Sequence, residues 1–113
     1  MSKELKELTN LILEFREQRD WKQFHKIKDL LLGLGIEVSE LTELFLWKSE
    51  AQIKEIQKEE IEDEIADIFI FLTYICDEFD IDLVNAVKSK VIKNDQKYPV
   101  EKSKGSNKKY NQL

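Results

Sequence analysis

Residues 59–79 read EEIEDEIADIFIFLTYICDEF, and this stretch decides the fold class. Its apolar residues recur at intervals of three and four, which is the spacing of one face of an α-helix. They are Ile61, Ile65, Ile68, Phe69, Leu72 and Ile75. The spacing predicts a helix that begins between residues 53 and 59 and ends near residue 79.

Three other segments have helical spacing, so the sequence predicts an all-α four-helix bundle. They are residues 2–19, 27–48 and 83–98. Ser2 and Asp82 are expected to cap the first and last of these helices, and Pro99 to stop the last. Because the 113 residues include only three glycines and one proline, few turns are available. We predict a single domain over residues 1–113, in which residues 100–113 form a basic tail that is either disordered or anchored through Tyr110.

The composition argues against several classes of function. The net charge of −5 does not suit non-specific binding to a nucleic-acid backbone. The single cysteine, Cys76, excludes an internal disulfide and a cysteine-based zinc cluster, and we interpret it as a core residue. The N-terminus lacks an apolar signal core, and no stretch reaches the roughly 18 uncharged apolar residues that span a bilayer. We therefore expect a cytoplasmic protein without a membrane or nucleic-acid partner.

Four carboxylates fall where apolar side chains are expected. On the second predicted helix, an advance of about 100° per residue puts Glu37 inside the apolar face and Glu40 at its edge. The same construction on the third helix puts Glu64 and Asp67 among apolar residues. A buried, unpaired carboxylate is unfavourable and several together repel one another, so a cation is expected to compensate them.

The spacing of these acids favours a hard divalent cation. Glu37-x-x-Glu40 and Glu64-x-x-Asp67 each place two carboxylates one helical turn apart on the same face. Ligand sets made only of oxygen suit Mg²⁺, with Mn²⁺ as a substitute. The sequence therefore predicts a magnesium site between two helices.

Two alternatives account for acids at this spacing. One is a solvated helix face, which is the usual reason for a single Glu-x-x-Glu in a glutamate-rich chain. The other is a di-iron centre, but that site needs Glu-x-x-His pairs. The only histidine, His25, has Lys22 three residues before it, which excludes such a pair. Glu43, one further turn along the second helix, could reach a second ion or a water.

With these motifs the chain resembles the all-α nucleoside triphosphate pyrophosphatases, the family that includes MazG and the dimeric dUTPases. Their mark is Glu-x-x-Glu followed some two dozen residues later by Glu-x-x-Asp, and here residues 41–63 separate the two motifs. The likeness covers roughly residues 4–110 and is strongest to the dCTP pyrophosphatases. It rests on RDWKQFH at 19–25, ELFLWK at 43–48 and NDQKYP at 94–99.

The resemblance implies a MazG-like bundle that hydrolyses a nucleoside triphosphate, dCTP or a modified dCTP, to the monophosphate and pyrophosphate, in nucleotide-pool sanitation. It implies that Mg²⁺ on the four acids carries the triphosphate while water attacks the α-phosphorus. For the group that accepts the proton of this water, Glu40 and Glu43 remain alternatives. A homodimer or homotetramer is implied as well, because one short bundle offers little pocket depth.

The resemblance also implies a set of substrate-binding residues. Those around the base and sugar are Trp21, His25 and Trp47, and those near the phosphates or the pocket entrance are Lys48, Lys90, Asn94, Lys97 and Tyr98. Lys97 stands where relatives more often have arginine, so a point charge replaces a planar fork.

Several of these side chains also fit structural roles that need no ligand. Trp21 fits an apolar staple into the bundle, His25 a structural histidine, and the lysines solvated helix ends favoured by the dipole. Trp47 fits a ligand or subunit contact better than a core position. The chain as a whole also fits a non-enzymatic helical interaction module with a structural cation site, or a relative that binds nucleotides without hydrolysis.

Overall fold

A computed structural model describes residues 2–113; Met1, the first residue of the predicted domain, lies outside them. All the regular secondary structure within residues 2–113 is helical, which confirms the all-α class. Its helices are α1 (Lys3–Gln18), α2 (Ile27–Glu43), α3 (Glu50–Ile53), α4 (Lys58–Glu78), α5 (Leu83–Lys97) and α6 (Val100–Ser103). Short 3-10 turns cover Lys22–Phe24 and Tyr110–Gln112. Within residues 2–113, no helix combines the length and apolarity needed to cross a membrane.

The chain divides into two compact units, residues 2–80 and residues 81–113. In the first unit, α4 packs along α2 and also contacts α1. Ile12, Leu30 and Tyr74, one from each of these helices, are buried together. The amphipathic faces that the periodicity predicted thus meet in one small core.

The predicted starts of two helices agree with the structure, and a side chain caps each of these starts. Ser2 Oγ accepts the Leu5 N–H at 3.2 Å, and Asp82 Oδ1 accepts the Asn85 N–H at 3.2 Å. Both hydrogen bonds satisfy an N–H group that the first helical turn leaves free. The helix expected to start between residues 53 and 59 starts at Lys58.

The predicted end of the second helix is wrong. Residues 27–48 were expected to be helical, but α2 ends at Glu43 and the chain turns through residues 44–47. The apolar run continues past this turn, so periodicity alone does not detect it. Trp47 there has a φ of 63°, in the left-handed region that non-glycine residues rarely adopt. Lys48 Nζ donates to the Leu44 carbonyl at 2.7 Å, which satisfies one acceptor at the helix end.

A short helix that the sequence did not predict follows this turn. Ser49 and Gln52 form a capping box: Ser49 Oγ accepts the Gln52 N–H at 3.2 Å, and Gln52 Oε1 accepts the Ser49 N–H at 2.8 Å. These reciprocal bonds start α3, which runs for a single turn before α4.

The second unit contains α5, α6 and the 3-10 turn near the C-terminus. Pro99 precedes α6, whose four residues were expected to belong to an irregular tail. The Tyr98 and Tyr110 rings meet edge to face at 6.1 Å, and Lys97 Nζ lies 5.0 Å from the centre of the Tyr110 ring. Tyr110 thus lies beside the two residues at the C-terminal end of α5.

Candidate active site

Three carboxylates from two helices come together where α2 packs against α4. One oxygen each from Glu37, Glu40 and Glu64 lies within 4.8 Å of the other two. Glu37 and Glu40 are one turn apart on α2, so both can face the same segment of α4. Packing against α4 then brings Glu64 into the same cluster. We call Glu37, Glu40 and Glu64 the acid cluster.

Asp67 was predicted as a fourth ligand, and it lies beside the acid cluster rather than within it. Among residues 2–113, the set of acids within 4.8 Å does not include it. An aspartate side chain is one methylene shorter than a glutamate, so its oxygens stay closer to the α4 backbone. Its charge still reaches the cluster, because it contributes to raising the pKa values of both Glu37 and Glu64.

The acid cluster carries negative charge that the described chain does not compensate. Glu37 Oε2 and Glu64 Oε2 are buried without a hydrogen-bond partner. Burial is the main cause that raises the pKa of Glu37 to about 7, and the carboxylates of Glu40, Asp67 and Glu64 add to it. Burial also raises the pKa of Glu64, with Glu40 as the next cause. None of the ion pairs found within residues 2–113 involves these acids.

A divalent cation fits this arrangement for a physical reason. Buried oxygens without donors are unfavourable unless a proton or a cation satisfies them. Carboxylate oxygens alone are the ligand set of hard ions such as Mg²⁺ and Mn²⁺. Glu37, Glu40 and Glu64 would supply such ligands, and the charge of Asp67 acts on the same group of acids.

Glu43 and Glu40 are placed differently. Glu43 is the last residue of α2, exposed, and outside the acid cluster, whereas Glu40 belongs to it. An exposed glutamate at a helix end is well hydrated and free to move, and a clustered one is held close to the proposed ion. The two predicted candidates for the general base therefore differ in position as well as in environment.

A second group of polar side chains surrounds Tyr74 on α4. The His25 ring lies 4.6 Å from the Tyr74 ring, and His25 Nδ1 is buried without a hydrogen-bond partner. Burial lowers the pKa of His25, and the nearby Arg16 charge lowers it further. Arg16 is only 3% exposed, donates to Asp77 at 2.9 Å and lies 5.4 Å from the Tyr74 ring. Both effects favour the neutral form of the His25 ring, whose Nδ1 has no hydrogen-bond partner among the described residues.

Sequence reasoning missed Arg16 and Tyr74. Arg16 lies one helical turn after the core residue Ile12, so a cation on the apolar face of α1 was the available signal. Tyr74 was visible only as one more apolar position on α4. Neither residue belongs to the motifs on which the sequence analysis rested, so their proximity to His25 was not predicted.

Apolar surface next to this group forms a groove of about 310 Å³ between α1 and α4. Leu11, Ile12, Phe15, Ile70 and Tyr74 line it. Trp21, predicted near the base, packs edge to face on Phe15 at 5.8 Å and stays partly exposed. We call this surface the α1/α4 groove.

The turn after α2 forms a second, more polar hollow of about 540 Å³. Trp47 and Lys48 line it together with residues of α3 and of the start of α4. Trp47 is 92% exposed, so within residues 2–80 its indole has almost no partner. Lys48 is exposed and its ammonium group is bound to the Leu44 carbonyl.

The remaining predicted substrate-binding residues lie in the unit of residues 81–113. Lys90 and Asn94 are exposed on α5, and Lys97 and Tyr98 lie at its C-terminal end. The Asn94 carbonyl accepts the Tyr98 N–H at 2.8 Å, and Tyr98 and Lys97 both contact Tyr110. The described contacts of Lys97 and Tyr98 are thus with the C-terminal end of the chain.

Comparisons with known proteins agree on one family. The model of the MazG-like family matches residues 33–113. The dCTP pyrophosphatase 1 of Rattus norvegicus is 40% identical over 96% of this chain and 67% of its own length, and that of Homo sapiens is 35% identical over the same shares. The crystal structure of a pyrophosphatase from Archaeoglobus fulgidus is 40% identical, with a TM-score of 0.80 over 88% of this chain and 95% of that one.

Proposed function

Because the chain belongs to the MazG-like family and is a nucleotide pyrophosphatase, we propose that it hydrolyses dCTP or a modified dCTP in a reaction that requires Mg²⁺. The products are the nucleoside monophosphate and pyrophosphate. The activity removes such nucleotides from the cytoplasmic pool. Mn²⁺ can replace Mg²⁺ in the reaction. The observation that carries this proposal is the acid cluster, with its buried oxygens that lack donors.

The acid cluster is the binding site for the metal and, through it, for the triphosphate. A bound divalent ion neutralises charge on phosphate oxygens and lowers the pKa of water. Glu37, Glu40, Glu64 and Asp67 hold the ion, and the packing of α2 on α4 sets their separation. Either Glu40 or Glu43 accepts the proton from the water that attacks the α-phosphorus, and the position of Glu40 within the cluster favours Glu40.

The base and sugar bind near His25 and Trp21. The His25 ring lies against Tyr74, which lines the α1/α4 groove. The α1/α4 groove offers an apolar surface beside it, as a nucleotide base needs. Lys48, Lys90, Asn94, Lys97 and Tyr98 act on the phosphates or at the pocket entrance.

The active form is a homodimer or homotetramer. Within residues 2–80, Leu31, Leu32 and Ile36 on α2 are exposed, and Leu32 is 59% exposed. An apolar stripe of this kind is expected to be covered by another chain. Trp47, which residues 2–80 leave almost bare, is expected to pack against a bound nucleotide or a partner subunit. The molar mass from size-exclusion chromatography with light scattering, compared between wild type and a Leu32→Glu variant, tests this assembly.

The experiment that tests the function is a product analysis with single nucleotides. The protein is incubated with each deoxynucleoside triphosphate, with Mg²⁺ or with a chelator, and the products are separated by anion exchange. We expect equal amounts of monophosphate and pyrophosphate from dCTP only when Mg²⁺ is present. Binding of Mg²⁺ without release of pyrophosphate would instead support one of the two alternatives without hydrolysis: a helical interaction module with a structural cation site, or a relative that only binds nucleotides.

A further inference from the structure

The α2 backbone and an α4 ring approach each other closely next to the acid cluster. A Cβ atom added to Gly33 would lie 2.7 Å from Cζ and 3.2 Å from Cδ1 of Phe71, and still closer to Cε1. Real Cβ atoms essentially never lie within 3.0 Å of another heavy atom. The ring therefore rests on a bare stretch of the α2 backbone that only glycine provides.

This contact lies one to two turns from the acids on α2 and one to two turns from those on α4. Gly33 precedes Glu37 by four residues, and Phe71 follows Asp67 by four and Glu64 by seven. Helical side chains lean toward the N-terminus of their helix. Glu37 thus leans toward the turn of Gly33, and Phe71 leans toward the turn of Asp67.

Gly33 weakens the helix in which it stands, because glycine is unfavourable in a helix interior compared with alanine. Gly35, two residues later in α2, has open space around its Cα, with nothing within 4 Å of an added Cβ. The two glycines therefore have the same effect on helix propensity, but only Gly33 meets the opposite helix.

We propose that Gly33 and Phe71 are positioning residues that set the separation of α2 and α4 and so fit the acid cluster to a small divalent ion. The proposal rests on the proposed function, since it concerns the ion of that site. Mg²⁺ requires oxygen ligands at about 2.0–2.1 Å, whereas Ca²⁺ takes them at about 2.3–2.6 Å. A small increase in the distance between the helices therefore disfavours Mg²⁺ more than Ca²⁺.

The test compares the affinities of Mg²⁺ and Ca²⁺, measured by titration calorimetry without nucleotide, in three variants. In Gly33→Ala the new methyl group pushes Phe71 away, and we expect the ratio of Mg²⁺ to Ca²⁺ affinity to fall about tenfold. The double variant Gly33→Ala with Phe71→Leu relieves the contact and should recover most of the ratio. Gly35→Ala, the matched control, should melt at a higher temperature and keep the wild-type ratio.

Each outcome decides between the proposals. A wild-type protein that binds neither ion overturns the metal site itself, and this inference with it. A wild-type protein that binds Mg²⁺, together with a Gly33→Ala ratio within twofold of wild type, overturns only the positioning role. If Gly33→Ala does not fold, the ratio of Mg²⁺ to Ca²⁺ affinity is measured in Phe71→Leu, which removes the ring between the helices. An unchanged ratio in that variant also overturns the positioning role.

Discussion

The free energy of unfolding of the metal-free protein should depend on pH through Glu37. Its pKa is raised from 4.5 to about 7, mainly by burial, so the folded protein binds the proton more tightly than the unfolded chain does. The stabilisation by the protonated carboxyl is complete below pH 4.5 and is lost as the pH rises through about 7. The metal-free fold is therefore expected to weaken between these two pH values.

The size of the effect follows from the shift. One pKa unit corresponds to about 1.4 kcal/mol, so a change from 4.5 to about 7 corresponds to about 3 kcal/mol at full effect. Part of the Glu37 side chain faces water, and solvent screening reduces this to about 1–2 kcal/mol. In a chain of this size that loss lowers the melting temperature by about 4–10 °C.

The assay is a set of thermal melts by circular dichroism in a chelating buffer, at half-unit steps from pH 4.5 to 8, for wild type and Glu37→Gln. We expect the melting temperature of wild type to fall relative to that of the variant, which cannot titrate at this position. Addition of Mg²⁺ at pH 8 should restore the melting temperature of the wild type and raise that of the variant less. Parallel curves for the two proteins would refute the reasoning, because they would show that Glu37 titrates normally.

Three further predictions concern other residues of the site. Glu64→Gln should abolish hydrolysis while leaving the metal-free protein at least as stable as wild type, and full activity or outright unfolding would argue against its role as a ligand. Trp47→Ala should raise the KM for dCTP far more than it changes the affinity for Mg²⁺; equal KM values would restrict Trp47 to a subunit contact. His25 should titrate below pH 6.5 in NMR spectra, because burial and Arg16 lower its pKa, and a midpoint above 6.5 would contradict that environment.

The sequence predicted the helices well where periodicity and side-chain caps act together. Asp82 and Ser2 mark helix starts through local hydrogen bonds, and such signals do not depend on the rest of the fold. The end of α2 was wrong because its apolar run continues through the turn. The turn that follows places Trp47 in a left-handed conformation, which no local pattern indicates.

The acid cluster could be predicted in part, for a physical reason. Carboxylates on an apolar helix face stand out in a sequence because they conflict with burial, so Glu37 and Glu64 were found without a structure. The distance from Asp67 to the acid cluster depends on the separation of α2 and α4, and a sequence does not contain that separation. The Arg16–Asp77 ion pair joins residues far apart in the chain, so it too required the fold.

Hydrolysis in oxygen-18 water tests the central claim most directly, because a triphosphate held at the acid cluster has three phosphorus atoms that water can attack. With dCTP and Mg²⁺, mass spectrometry of the products reports which phosphorus takes up the water oxygen. We expect the label in the nucleoside monophosphate and none in the pyrophosphate, since the attacked α-phosphorus keeps that oxygen. Label in the pyrophosphate, or release of orthophosphate with a nucleoside diphosphate, would contradict attack at the α-phosphorus even if every acid of the cluster proved to bind the ion.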